Sequence, residues 1–187
     1  MGALLTERAL AENLAMSRTP VRSAIERLES EGYLHCTPNK GILIVDLSLK
    51  LVIDFFDLRN ALEPYAAGKI AQSQVQKVDA AWFDENLSGQ ERCLGQQDFV
   101  RFTELDSAFH RGLFRLYGNQ EMIQTMDPLQ DKLFRIALNV LKKDNARIHQ
   151  SIIDHRSIWK AIMDGNPELA ASELRQHLEY GKKILMA

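Results

Sequence analysis

The chain has 187 residues, 45% of them hydrophobic and 26% charged, and a formal net charge of -2. That length admits two small domains or one large one, and so small a charge argues against indiscriminate adhesion to nucleic acid or an anionic membrane. No apolar run reaches the length of a membrane span, and the N-terminus lacks a basic region followed by a continuous apolar one, so no membrane association and a cytoplasmic location are expected. Cys36 and Cys93 stand far apart with no CxxC spacing, as reduced thiols would.

In chain order, residues 6–16 read as a helix with Ala9, Leu10 and Leu14 on its inner face. A very short turn leads to a second helix whose expected cap is Thr19, with Pro20 at the first helical position and Gly32 as a left-handed stop. Val21, Ala24, Ile25 and Leu28 recur at three- and four-residue spacing and predict a shared buried face. Arg18 and Arg22 fall four apart at the start of this helix, where the macrodipole disfavours cations unless a negative partner is present. Two short helices so joined match a helix-turn-helix. Residues 34–38 and 41–45 then flank Asn39-Lys40 as a hairpin wing. Residues 1–46 carry five Lys and Arg against six Asp and Glu, so any positive field must be local to the start of the second helix.

Asp46-Leu47-Ser48 is the expected boundary, giving domains over 1–47 and 48–187. Beyond it the periodicity is helical throughout. The first helix runs from Ser48 to about Ala71, with Leu51, Phe55, Leu58, Leu62 and Ala66 on one face and a bend at Pro64. A second spans about 75–94, with Val78, Trp82 and Leu87 inward. Asp98 caps a third through Phe99, Phe102, Leu105, Phe109, Leu113 and Leu116, and Gly118-Asn119 stops it. A fourth occupies about 120–141, and a fifth about 145–164 carries Ile148, Ile152 and Trp159 before Gly165. Asn166-Pro167 opens the sixth, with Leu169, Ala170, Leu174, His177 and Leu178 on one face. The expected fold is mainly α, a winged helix-turn-helix followed by an antiparallel six-helix bundle able to enclose a pocket.

Inside that bundle, Asp106 and His110 are four apart on the third helix and project from one face. His155 lies on the fifth helix and His177 on the sixth, so one carboxylate and three imidazoles could converge on a metal ion. His149 points elsewhere on its helix and His35 lies in the wing, which excludes both.

The stretch from Leu5 to Asp46, with Leu-Thr-Glu-Arg-Ala-Leu-Ala-Glu, Ser-Arg-Thr-Pro-Val-Arg, Arg-Leu-Glu-Ser-Glu-Gly and Pro-Asn-Lys-Gly, closely resembles the winged helix of GntR-family bacterial transcription regulators. The resemblance implies that Arg8, Arg18, Thr19 and Arg22 contact phosphates and base edges in the major groove of operator DNA, while Lys40 and Gly41 place the wing tip at the minor groove. Members normally have a further helix before the position of Leu5. This sequence opens there on Met1-Gly2-Ala3-Leu4, so a head lacking its first helix is expected, with Ala9, Leu14, Val21 and Ile25 underpacked.

Residues 50–185, with Leu-Arg-Asn-Ala-Leu-Glu, Asp-Ser-Ala-Phe-His, Tyr-Gly-Asn and His-Arg-Ser-Ile-Trp-Lys-Ala-Ile, look like the helical FCD effector domain of the FadR subfamily, and six helices favour its VanR-like branch. That likeness implies a divalent ion (Zn, Ni or Mn) on Asp106, His110, His155 and His177, and a small carboxylate effector paired with Arg59. The alternative for Arg59 is a pair with Glu63 one turn along. The expected function is a homodimeric repressor released from a pseudo-palindromic operator by a small organic acid. Two alternatives stand beside it, a sensor that dimerises without reading DNA and a metalloenzyme. The second lacks an identifiable general acid or base, Glu104 and Asp154 having no special claim.

Overall fold

A computed structural model describes residues 5–37, 41–45, 48–73, 75, 77–144 and 146–186. The chain divides into two compact units, Met1–Ser48 and Leu49–Ala187.

In the first unit, α1 (Glu7–Asn13) and α2 (Arg18–Ser30) precede a hairpin of β1 (Leu34–Thr37) and β2 (Gly41–Ile44). Thr6 caps α1, its hydroxyl accepting from the Ala9 amide at 3.1 Å. The predicted cap of α2 shifts by two residues. Ser17 holds the extended cap position without a side-chain bond, so Thr19 and Pro20 lie inside the first turn, where a missing amide is still harmless. Gly32 stops α2 as predicted, at φ 78°, with the Tyr33 amide donating to the Leu28 carbonyl and Gly32 to Glu29. The same motif ends α1, but there Ala15 takes the left-handed position, at φ 51°. β1 and β2 are antiparallel in the register Leu34 to Ile44 and Cys36 to Ile42, and the Ile42 amide also donates to the Leu5 carbonyl on β2's other side at 2.8 Å.

The core of this unit is Ala11, Val21, Ile25, Leu34 and Ile42, with Leu5, Leu10 and Cys36 against it. It is narrower than predicted. Ala24, Leu14 and Leu28 are exposed, because α2 meets its covering elements along the Val21–Ile25 edge only. Of the four residues expected to be underpacked, Val21 and Ile25 are buried, Ala9 is half-buried and Leu14 is exposed. Pro38, Asn39, Lys40 and the Asp46-Leu47 boundary lie outside the described residues.

The second unit comprises α3 (Leu49–Ala71), α4 (Lys77–Gln96), α5 (Phe99–Tyr117), α6 (Gln120–Met126), α7 (Gln130–Lys143), α8 (Arg147–Met163) and α9 (Pro167–Met186). The predicted helix over 120–141 is thus two. A single turn of 3-10 helix at Asp127–Leu129 interrupts it, because Pro128 has no amide to continue the ladder. Asp98 caps α5 by accepting from the Arg101 amide, Gly118 ends it at φ 77°, and Asn166 accepts from the Leu169 amide at the start of α9. α3 continues through Pro64.

α5 packs against α3, α4 and α7, while α9 packs against α3, α7 and α8. Phe83, Leu87, Phe109, Leu113, Ile158, Ile162 and Leu174 form the central core, and a second cluster joins Cys93, Phe102, Leu141, Ile148 and Ile152. Three predicted inward residues face out. Trp82 is 46% exposed and lies across Gly112, the adjacent Phe83 taking the core position, and Leu169 and Phe99 are also exposed. Val78's side chain and Asn145 lie outside the described residues. The buried stripe of α3 is Val52, Phe55, Phe56, Arg59, Glu63, Ala66, Ala67 and Ile70, a rotation from the predicted Leu51, Leu58 and Leu62, which are half-buried. That rotation carries a charged pair into the core.

Candidate metal centre and DNA-reading head

Asp106, His110, His155 and His177 come together in the bundle core from α5, α8 and α9, with one potential ligand atom of each lying within 4.8 Å of the others. All four are buried. His155 Nε2 stands 3.3 Å from His177 Nε2 and 3.5 Å from Asp106 Oδ1. The His155 ring stacks on Phe109 at 4.5 Å, and Phe109 in turn packs edge-on to Phe83, so the core aromatics fix its plane.

Which nitrogen of each imidazole faces the others is set by the partner behind it. For His155 the logic runs back to the main chain. The Leu105 carbonyl can only accept, so Asn86 Nδ2 donates to it at 3.0 Å, and Asn86 Oδ1 accepts from Gln90 Nε2 at 2.8 Å. Gln90 Oε1 is left as an acceptor, 2.8 Å from His155 Nδ1, which must carry the hydrogen. Nε2 therefore presents a bare lone pair. His110 Nδ1 lies 2.7 Å from Glu63 Oε2 and donates to it, which turns its own Nε2 inward, buried and without a hydrogen-bond partner among the described residues. His177 Nδ1 lies 3.0 Å from Asp154 Oδ2 and 2.8 Å from an Arg147 nitrogen, two neighbours that demand opposite tautomers. The Nδ1–H form satisfies all three groups. It donates to Asp154, and Arg147 turns to the His177 carbonyl, 3.2 Å away.

Electrostatics favour the neutral forms of His155 and His177, ready to ligate. Burial holds the His155 imidazolium well below its usual range, reinforced by His177 and His110. Burial likewise lowers His177 to about 4, outweighing the opposing pull of Asp154. Behind them the acids are ionised. Burial pushes Glu63 up, but the Arg59 guanidinium and His110 overcome it and hold the carboxyl at about 2. Asp154 is also held at about 2, hydrogen bonds from His177 and Gln150 and the charge of Arg147 prevailing over its burial.

Three imidazole nitrogens, each with an oriented outer partner, and a carboxylate oxygen fit a divalent cation. For bonds of about 2.0–2.1 Å the edge of a tetrahedral zinc site is roughly 3.3–3.4 Å, close to the separations around His155 Nε2. The orphaned Nε2 of His110 is the atom that most needs such a ligand. A cavity of about 40 Å³ borders Asp106 and His177 and is lined also by Arg59, Arg147, Ser151 and apolar side chains of α5, α7 and α9. It has room for a few water-sized groups.

Arg59 takes the alternative foreseen for it. Its Nε and Nη2 engage Glu63 at 2.5 and 3.3 Å, while the same guanidinium lines the cavity. Sequence reasoning gave Gln90, Asn86 and Arg147 no role and considered Asp154 only as a catalytic acid. Gln90 and Asn86 carry no signal beyond lying four apart, as helix neighbours do. His149 and His35 are exposed, consistent with leaving them out.

In the first unit, Arg8, Arg18, Thr19 and Arg22 are exposed. Arg8 Nε pairs with Glu12 at 2.8 Å, Arg22 Nε with Glu26 at 3.1 Å and Arg18 Nε with Glu7 at 3.1 Å. Gly41 opens β2 at φ 89°, a left-handed conformation that suits glycine. Lys40 lies outside the described residues.

Residues 54–180 match the FCD domain family, and residues 1–44 match the bacterial regulatory proteins of the gntR family. The Nta operon transcriptional regulator of Aminobacter aminovorans is 32% identical over 95% of this chain and 82% of its own length. An HTH-type transcriptional regulator in an unstable DNA locus of Streptomyces ambofaciens is 30% identical over 95% of this chain and 73% of its own. A solved GntR transcriptional regulator from Rhodococcus sp. RHA1 shares the fold, with a TM-score of 0.79 at 21% identity, covering 100% of this chain and 88% of that one. No helix among the described residues is long and apolar enough to cross a membrane. A helix-turn-helix head joined to a helical bundle, with relatives that are regulators and not enzymes, settles the class: the chain belongs to the GntR family of bacterial regulatory proteins, carries an FCD domain, and is a DNA-binding transcription regulator.

Proposed function

We propose that this regulator is a cytoplasmic homodimer that leaves a pseudo-palindromic operator when a small organic acid binds beside a divalent ion in the FCD bundle. Domains over 1–47 and 48–187 divide the work. Asp106, His110, His155 and His177 hold the ion, with Zn, Ni and Mn the candidates by donor chemistry. The observation that carries the reading is the inward Nε2 set, each nitrogen bare because its Nδ1 is held from behind.

Charge supports the coupling of metal to effector. The buried cluster sets Arg59 and Arg147 against Glu63, Asp106 and Asp154, an excess of one negative charge. An anion entering that cluster alone is repelled. A divalent ion reverses the sign to one positive, which a monocarboxylate neutralises, with Arg59 on the cavity wall as its pairing partner. Binding then shifts the operator equilibrium by the acid's differential affinity for the two states of the protein. At the head, Arg8, Arg18, Thr19 and Arg22 enter the major groove, and Lys40 with Gly41 meets the minor groove.

The test is binding of the 187-residue chain to DNA upstream of its own gene across a salt series, alongside Arg18→Ala and Arg22→Ala. Site-specific binding that weakens with salt and is lost in both variants is expected. A folded protein that binds no DNA would favour the alternative of a sensor without a reading function.

A further inference from the structure

The four arginines at positions 8, 18, 22 and 27 all pair through Nε, yet one pair differs in kind. Arg8, Arg22 and Arg27 meet Glu12, Glu26 and Glu31 four residues along their own helices, and these side chains are exposed on both sides. Such pairs are screened by water and constrain little. Arg18 instead reaches Glu7, eleven residues back on the other helix, and the Glu7 side chain is only 29% exposed. Both residues open their helices, Glu7 just after the capping Thr6 and Arg18 just after Ser17. A carboxylate in the first turn of α1 is favoured by that helix's macrodipole, while a guanidinium in the first turn of α2 is opposed. Glu7 offsets that opposition from outside the helix. With Nε occupied, Arg18 keeps both terminal nitrogens free of protein partners among the described residues, on a side chain that is 73% exposed.

We infer that Glu7 is a positioning residue for sequence recognition, clasping Arg18 by Nε so that its two terminal nitrogens form a pre-set fork for a guanine edge. Arginine discriminates guanine by a bidentate contact whose value depends on holding that fork in one direction. Glu7 itself is an acid near a polyanion. Removing it should cost discrimination without costing general affinity, an outcome that loss of a phosphate contact cannot produce, while the double variant separates it from a base contact of Glu7's own. The inference rests on the DNA-reading role proposed above for Arg18.

The experiment selects a duplex from a random-sequence pool with the full wild-type chain. Affinity for that duplex and for a scrambled one is then measured over a salt series for wild type, Glu7→Ala, Arg18→Ala, the double variant and Glu26→Ala. Glu7→Ala is expected to lower the specific-to-scrambled ratio about tenfold while affinity for scrambled DNA is unchanged or rises. Arg18→Ala should lose a similar ratio, the double variant no more than Arg18→Ala alone, and Glu26→Ala none. Should Glu7→Ala lose helicity by circular dichroism, the isosteric Glu7→Gln, which keeps the shape and loses the charge, replaces it and must show at least a threefold loss. A ratio unchanged on removing Glu7, or losses that multiply in the double variant, would overturn the inference. A wild-type chain that enriches no duplex would overturn the DNA-reading role, and the inference with it.

Discussion

The two units use charge in opposite ways. In the head, the arginines sit on the surface and pair with carboxylates that water also reaches. In the bundle, Arg59–Glu63 is withdrawn from solvent and Arg147–Asp154 partly so, and the two pairs stand directly behind His110 and His177. A surface pair can be surrendered to a phosphate at little cost, which suits a part that must exchange partners. A buried pair holds its geometry because no solvent can replace either member, which suits a part that must keep three imidazoles aimed at one point.

Breaking one pair in each unit sharpens this contrast. Glu63→Ala strands the Arg59 cation in the core and removes the acceptor behind His110. A loss of about 3–5 kcal/mol in urea unfolding of the bundle is expected. The matching change in the head, Glu26→Ala, should leave the unfolding midpoint where it was. Equal losses at both sites would contradict the assigned difference.

A subtler break leaves all charges in place. Gln90→Leu keeps the buried volume but removes the acceptor that fixes the His155 tautomer. Isothermal titration with Zn²⁺ should show affinity reduced about 10- to 100-fold, with the fold intact by circular dichroism. Unchanged affinity would mean that the relay from the Leu105 carbonyl has no bearing on the imidazole. The smallest effect belongs to the head. Ala15→Gly relieves the left-handed strain at the end of α1 and should stabilise that unit by up to about 1 kcal/mol, read from its own melting transition.

Much of this was legible in the sequence where local chemistry decides the outcome. Gly32, Gly118 and Asp98 each act where predicted, because a left-handed stop or a capping carboxylate needs only its immediate neighbours. Asp106 and His110 could be placed on one face by spacing alone, His177 joined them through its apolar neighbours Leu174 and Leu178, and His155 through the resemblance to FCD domains. The errors arose where tertiary packing chooses among apolar residues. Trp82 and Phe83 are adjacent and both apolar, and Gly112, whose missing side chain lets Trp82 lie across it at the surface, belongs to another helix. The α3 stripe rotated for a similar reason: nothing local marks Glu63 as buried until His110, on another helix, supplies its partner in the core. The Asn86–Gln90 relay was invisible because its direction is fixed by a carbonyl nineteen residues away from Asn86.

The most direct test of the whole account joins the two units. Operator affinity of the full chain would be measured under four conditions: with chelator, with Zn²⁺, with a panel of small monocarboxylates, and with ion and acid together. Release, a fall of at least tenfold, is expected for one or more acids in the presence of the ion and for none with chelator. Release by an acid in chelator, or no change under any condition in a protein shown to hold the ion, would contradict it.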